Sequence, residues 1–199
     1  VGCIAGNVAW PLRLQMQADY VSASVIHISS GCVYTGHKEG GWTEDDAPNF
    51  TGSFYSNCKT MAQALLAPWL DRSYLLRIRM PFGSQPHPKN YLTKLRSYER
   101  LVDVRNSLSF IDTVAKVAVF FAQNSPLPGI YNVCERGSVT SREVVDLMGL
   151  SKEWVSEQEF AGMVKAPRSH CVLNTDKLSR LMDIPDVHES IGAALAAGA

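Results

Sequence analysis

Ser24-Val25-Ile26-His27-Ile28 runs straight into Ser29-Ser30-Gly31-Cys32-Val33-Tyr34, and the junction between the two decides the fold. The first segment is short and rich in β-branched side chains, which reads as a buried strand. The small residues after it read as the loop at the strand's C-terminal end, the edge at which open α/β sheets hold their ligands. Outward towards the start, Asn7 to Tyr20 spaces Val8, Leu12, Leu14, Met16 and Ala18 as an amphipathic helix. Pro11 suits that helix within a first turn, where its missing N–H costs little.

Outward in the other direction, Gly36 to Gly52 is polar and turn-rich. A helix follows from Ser53 or Phe54 to about Leu70, and Tyr74 to Met80 is a second strand, stopped by Pro81. Pro86 and Pro88 mark a loop before a helix at about Tyr91 to Tyr98. Short strands are expected at Val102 to Val104 and at Leu108 to Phe110. Asp112 to Asn124 is an apolar helix, Gly129 to Val133 a strand, and Thr140 with Glu143 three residues on forms a capping box that opens another helix. The alternation predicts an α/β fold: a doubly wound parallel sheet with a small mixed α/β C-terminal portion.

The 199 residues are 46% hydrophobic and 19% charged, which suits a globular protein with a substantial core. Nineteen basic residues balance nineteen acidic ones, so the overall charge does not point to a binder of nucleic acid or anionic membrane. No stretch approaches the ~20 apolar residues of a membrane span. Five cysteines (Cys3, Cys32, Cys58, Cys134, Cys171) form no Cys-x-x-Cys pair. With five dispersed histidines they give no metal-ligand spacing, and reduced thiols in a cytoplasmic protein are expected, with no metal. The four tryptophans, Trp10, Trp42, Trp69 and Trp154, are expected to pack, with Trp42 placed in the active-site loop to cover a substrate. The chain begins at Val1 with neither the basic flank nor the apolar core of a signal peptide, and it reads as part of something longer.

Tyr55-Ser56-Asn57-Cys58-Lys59 sets a phenol and an ammonium four residues apart, on one helix face. A nearby cation favours tyrosinate, so Lys59 is expected to draw the Tyr55 phenol down towards working pH. A hydroxyl at the neighbouring strand end, Ser30, can hold a carbonyl oxygen while the phenol exchanges its proton. The three form an acid/base unit for a ketone or alcohol, completed by a hydride carrier. Tyr-x-x-x-Lys alone is common on surface helices; the preceding Ser-Ser-Gly-Cys-Val-Tyr strand end and the following Leu-Arg-Ile-Arg-Met-Pro are what raise it above that background.

Taken together these motifs resemble the extended short-chain dehydrogenase/reductases. That resemblance implies a partial NAD(P)-binding Rossmann domain over residues 1–80 and a mainly substrate-binding portion over 81–199, with segments at about 102–134 returning to the sheet. It implies a tetrad of Asn7, Ser30, Tyr55 and Lys59. Tyr55, Lys59, Met80, Pro81 and Ser29 would adjoin the cofactor, and Lys59 would hold the nicotinamide ribose.

Glu44 to Ser56, Arg79-Met80-Pro81, Asn90-Tyr91-Leu92-Thr93-Lys94 and Ala166-Pro167-Arg168-Ser169 with Leu173 and Lys177 narrow it further. They resemble the nucleotide-rhamnose synthase/epimerase-reductases. Those enzymes take a nucleotide-diphosphate 4-keto-6-deoxyglucose through 3,5-epimerisation and reduction at C4, with NADPH preferred and NADH possible. The family's epimerisation pair corresponds here to Cys32 and Lys94. Such chemistry needs an acid and a base on opposite faces of a carbon made acidic by its neighbouring ketone. Arg168, whose guanidinium fork matches phosphate oxygens, and Asn90, Ser107 and Cys32 are the expected substrate contacts, with Ser109 ranked lower. Homodimerisation through the Tyr55 helix also follows from the resemblance.

The family's Gly-rich turn, which receives a pyrophosphate at a helix N-terminus, is not in this sequence. The first half of the Rossmann domain is therefore expected to be missing, and weak NAD(P)H binding to follow. Other members of the superfamily (a 4-epimerase, a dehydratase, a plain 4-ketoreductase) and a non-catalytic reductase-like regulatory subunit are the competing readings. Gly31-Cys32, where dehydratases carry acidic residues, argues against the second of these.

Overall fold

A computed structural model describes residues 1–199. The chain opens with a helical rod of three contiguous pieces: α1 (Gly2–Ile4), a π-helical turn (Ala5–Ala9) and α2 (Trp10–Tyr20). The rod starts five residues before the helix expected from Asn7. Pro11 is the second residue of α2. It cannot donate back to the preceding turn and its ring crowds that turn; the wide π turn immediately before it relieves both. Trp10, expected to pack, is 67% exposed.

A three-stranded parallel sheet follows, in the order β1 (Ile26–Ser30), β2 (Tyr74–Ile78), β7 (Gly129–Val133). In its register Ile28 faces Leu76, and Leu76 faces Tyr131. β1 is one of the two edge strands, and Ile28 on it is 47% exposed. Between β1 and β2 runs α3 (Phe54–Leu66), whose N-cap Ser53 accepts from the Ser56 N–H at 3.1 Å. This cap, two residues before Tyr55, fixes where the helix starts.

Pro81 does not end the strand region as expected. After a kink at Met80 the chain makes β3 (Pro81–Phe82), then α4 (Tyr91–Ser97), β4 (Arg100–Val102), β5 (Arg105–Asn106) and β6 (Ser109–Phe110). β3 pairs with β6 in parallel. α5 (Ile111–Asn124) lays Val114, Val117 and Phe121 on Tyr74, Leu76, Tyr131 and Val133 of the sheet. Each of these large apolar side chains is worth ~1.5–3 kcal/mol when buried.

The remainder comprises β8 (Val139–Thr140), α6 (Ser141–Leu147), β9 (Glu153–Val155), α7 (Glu157–Met163), α8 (Asp176–Ser179) and α9 (Val187–Ala196). The Thr140–Glu143 capping box is present, and a second one, Ser156–Glu159, opens α7. α4, α6 and α9 share the largest core, which includes Leu92, Leu95, Val144, Val145, Val187 and Ile191. No helix is long and apolar enough to cross a membrane.

Candidate active site

Ser30 ends β1 and caps a 3-10 turn, Gly31–Val33, by accepting from the Cys32 N–H at 3.1 Å. The hydroxyl oxygen is thereby occupied as an acceptor, and its hydrogen is left to be donated. Gly31 is a steric requirement. A Cβ there would lie 2.6 Å from Leu173 Cδ1, and Leu173 is 3% exposed. No side chain fits at position 31 without displacing Leu173, an acidic one included.

The loop after this turn is far from loose. Tyr34 Oη donates to the Asp46 carbonyl at 2.6 Å, and Trp42 stacks on Tyr34 at 5.0 Å. The buried Asn132 on β7 donates to the carbonyls of Trp42 and Asn174, at 2.9 and 3.0 Å. Arg77, buried on β2, donates twice to Gln63 Oε1 and lies over the Tyr34 ring at 5.2 Å. Trp42 also pairs with Leu173 across a β-bridge. It belongs to this brace and is not among the cavity residues, contrary to the cover expected of it.

A cavity of about 1100 Å³ opens at the C-terminal end of β1 and β2. Ser29, Ser30, Cys32, Tyr55, Lys59, Met80, Pro81, Lys94 and Arg168 all line it, drawn from five separate stretches of chain. Met80 reaches it from a backbone with φ +39, rare for a residue with a side chain. The preceding Arg79 N–H is bonded to Ser109 Oγ at 2.8 Å, and the following Pro81 pairs with Ser109. The chain therefore turns sharply at Met80 between two fixed points.

Lys59 Nζ lies 5.7 Å from the centre of the Tyr55 ring. Tyr55 is 42% exposed, yet burial of its phenol pushes its pKa up, with a hydrogen bond from the Ser30 hydroxyl pulling the other way. The expected downward pull by Lys59 is not what governs this chain. Burial likewise lowers Lys59. A protonated Tyr55 is the state needed to give a proton to a carbonyl oxygen. Lys59 has no carboxylate or carbonyl partner in the protein, although it is half-buried. An unpartnered ammonium, a donating hydroxyl, a phenol and the apolar Met80–Pro81 edge fit the ribose and nicotinamide of NAD(P)H. When bound, that group supplies a hydride.

Three expected site residues lie elsewhere. Asn90 caps α4, accepting from the Leu92 N–H and donating to the carbonyls of Gly83 and Gln85 at 2.7 and 2.9 Å. All its polar capacity is spent on the loop, and it is not in the cavity wall. Ser107, fully buried, accepts from the Leu173 N–H at 2.9 Å and fixes the strap over Gly31. Asn7 donates to the Cys3 carbonyl at 3.0 Å within the helical rod and does not line the cavity. The bonds of Asn90 and Ser107 run into the protein itself.

The sequence reading quoted Arg79 and Ser169 only as parts of motifs and gave neither them nor Asn106 a role. Arg79 is 2% exposed and lines the cavity. Its guanidinium donates to Cys32 Sγ at 2.8 Å, to Asn106 Oδ1 at 2.6 Å and to the Ser169 carbonyl. The signal was present in an arginine lying inside the apolar run Leu75 to Met80, since arginine is almost never fully buried unless paired.

A sheet of parallel strands with Ser30 at a strand end, and Tyr55 and Lys59 one turn apart over it, defines an extended short-chain dehydrogenase/reductase. No general family model matches the sequence. Individual relatives do. The bifunctional dTDP-4-dehydrorhamnose 3,5-epimerase/dTDP-4-dehydrorhamnose reductase of Arabidopsis thaliana is 34% identical over 205 residues, covering 96% of this chain and 67% of that protein. The crystal structure of the UDP-rhamnose synthase of Acanthamoeba polyphaga mimivirus superposes with a TM-score of 0.91 at 31% identity, over 96% of this chain and 70% of that one. The dTDP-4-dehydrorhamnose reductase of Bacillus anthracis, solved with NADP, shares the fold at TM-score 0.77 and 16% identity, over 96% and 71%. The chain belongs to the nucleotide-rhamnose synthase/epimerase-reductase family.

Proposed function

We propose that this chain carries the 3,5-epimerase and 4-reductase centre that converts a nucleotide-diphosphate 4-keto-6-deoxyglucose to the corresponding L-rhamnose, with NADPH preferred over NADH. The observation that supports it is a single cavity wall holding both Ser30, Tyr55 and Lys59 and the pair Cys32 and Lys94. Cys32 and Lys94 exchange the C3 and C5 protons, which the C4 ketone acidifies. Ser30 donates to the C4 oxygen, and Tyr55 delivers the proton that completes reduction. Lys59 binds ribose hydroxyls, and the exposed Arg168 meets the diphosphate. Lys94 has no side-chain partner in the protein and is free for this role. The reading places the protein in the cytoplasm as a homodimer through α3, whose exposed Phe54, Met61 and Leu65 offer an apolar face.

The test supplies the full-length protein with UDP- or dTDP-4-keto-6-deoxyglucose in deuterium oxide and follows the sugar by NMR, with and without NADPH. Deuterium at C3 and C5, and a rhamnose-configured product when NADPH is present, is the expected result. Tyr55→Phe should cost the reduction ~10²–10⁴-fold and leave the exchange in place. A reduced sugar without deuterium would leave a plain 4-ketoreductase and sink the epimerase half.

A further inference from the structure

Arg79 is a cation with nowhere obvious to put its charge. It is buried at the floor of the cavity and makes no ion pair with any aspartate or glutamate. Two of its bonds go to neutral oxygens, the Asn106 amide and the Ser169 carbonyl, and its Nε has no partner at all. A buried guanidinium without a counter-charge is costly. Its remaining bond, 2.8 Å long, goes to Cys32 Sγ.

The other ionisable groups around it do not supply the missing charge. Burial holds Cys134, Cys171 and Tyr91 in their protonated, neutral forms, and burial with Arg79 itself keeps His170 neutral. Cys32 differs in being half-buried and open to the cavity. The geometry of the bond also matters. The guanidinium N–H points at the sulfur, so sulfur is the acceptor and any S–H must be directed elsewhere.

Resting on the epimerase reading above, we propose that Arg79 is the positioning residue for Cys32: it fixes the sulfur at the cavity wall and stands as its counter-charge when the sulfur gives its proton to, or takes one from, the sugar carbon. The step balances within the site. A C–H proton passes to one member of the Cys32–Lys94 pair, and a solvent-exchangeable proton from the other returns to the opposite face, with no oxidant or reductant. Asn106 and Ser169 hold the guanidinium so that its third arm has one direction left.

The experiment measures kcat and KM for deuterium incorporation into UDP-4-keto-6-deoxyglucose without NADPH, in the wild type, Cys32→Ala, Arg79→Met and Arg79→Lys, each checked for folding by thermal melting. Cys32→Ala should fall to background. Arg79→Met should lose about 10- to 100-fold in kcat, the range expected for losing a hydrogen bond to a charged group, with KM little changed. Arg79→Lys, which keeps the cation on a shorter arm, should recover part of that loss. If Arg79→Met does not fold, Arg79→Lys carries the comparison, with a several-fold fall in kcat expected. Wild-type kcat in either folded Arg79 variant, or a rise in KM alone, overturns the proposal. Full exchange by Cys32→Ala overturns the role of Cys32 and the proposal with it, whereas no exchange by the wild type overturns instead the epimerase reading on which it rests.

Discussion

Gly31→Ala adds one methyl group beside Cys32, and the structure sets what it should cost. The new Cβ would sit 2.6 Å from Leu173 Cδ1 and 3.3 Å from Leu173 Cγ and Cδ2, where carbon atoms prefer about 3.5–4.0 Å. Something must move by roughly an ångström. Leu173 has little freedom to do so. Its N–H is bonded to Ser107 Oγ, its backbone is bridged to Trp42, and its side chain is buried among Val33, Tyr34, Cys134 and Cys171. Overpacking of this kind costs about 1–3 kcal/mol, or roughly 2–12 °C in Tm for a chain of this size. If the 3-10 turn moves instead, Ser30 and Cys32 move with it, and a 1 Å misplacement can cost about 10²-fold in rate. Urea unfolding gives the stability, and deuterium exchange into the sugar gives the rate. Leu173→Ala alone should cost about 2–5 kcal/mol. The double variant should be more stable than the sum of the two losses, because the added methyl then occupies the space vacated. A Gly31→Ala protein within 0.5 kcal/mol of wild type, or two losses that simply add, would refute the reasoning.

Two further outcomes follow from buried titratable groups. Burial pushes Cys134 from its ordinary 9.0 up to about 12. The folded protein therefore holds this proton more tightly than the unfolded one. The associated stability is complete below pH 9 and is lost as pH rises towards 12. Between pH 8 and 10 the wild type should lose about 1.4 kcal/mol more than Cys134→Ala in urea titrations; equal losses would contradict this. Glu44, pushed up by burial although it accepts from the Asn132 N–H at 2.8 Å, likewise binds its proton more tightly when folded. Glu44→Gln should be as stable as wild type or more so at pH 7, with the advantage shrinking as pH falls towards the ordinary carboxylate range. A large destabilisation at pH 7 that does not diminish in acid would count against it.

The sheet and its helices were legible because their signals are local. β7 spans the expected residues, and α3, α4 and α5 lie within a few residues of the periodic segments that announce them. Ser30, Tyr55 and Lys59 were legible too, since strand end and helix turn are both short-range patterns. The capping role of Asn90 was not legible, because Asn before a helix satisfies the backbone as well as it satisfies a ligand, and here the cap uses it. Trp42 packs as expected, but its place in the brace was not legible, because nothing local says that Asn132, ninety residues away, takes its carbonyl. Arg79 escaped notice for the same reason. Its partners Cys32, Asn106 and Ser169 are separated from it by 47, 27 and 90 residues. The phenol of Tyr55 shifted opposite to expectation because burial, which a helix-face argument leaves out, dominates there.

The strap from Ser169 to Leu173 bears on how the protein comes to be folded. It bonds back to Tyr34 across 135 residues and to Gly31 across 140, and it supplies one of the three anchors of Arg79. Contacts this distant in sequence close large loops and form slowly. During synthesis the N-terminal rod and the segments that will become β1 and α3 emerge long before the strap does. Until Leu173 has left the ribosome, the turn around Cys32 lacks its lid and the guanidinium beneath it lacks a full set of acceptors. This side of the cavity is therefore among the last parts of this chain to acquire its shape, and a chain cut short before Ser169 would keep Tyr55 and Lys59 on their helix while losing the setting of the Cys32 sulfur.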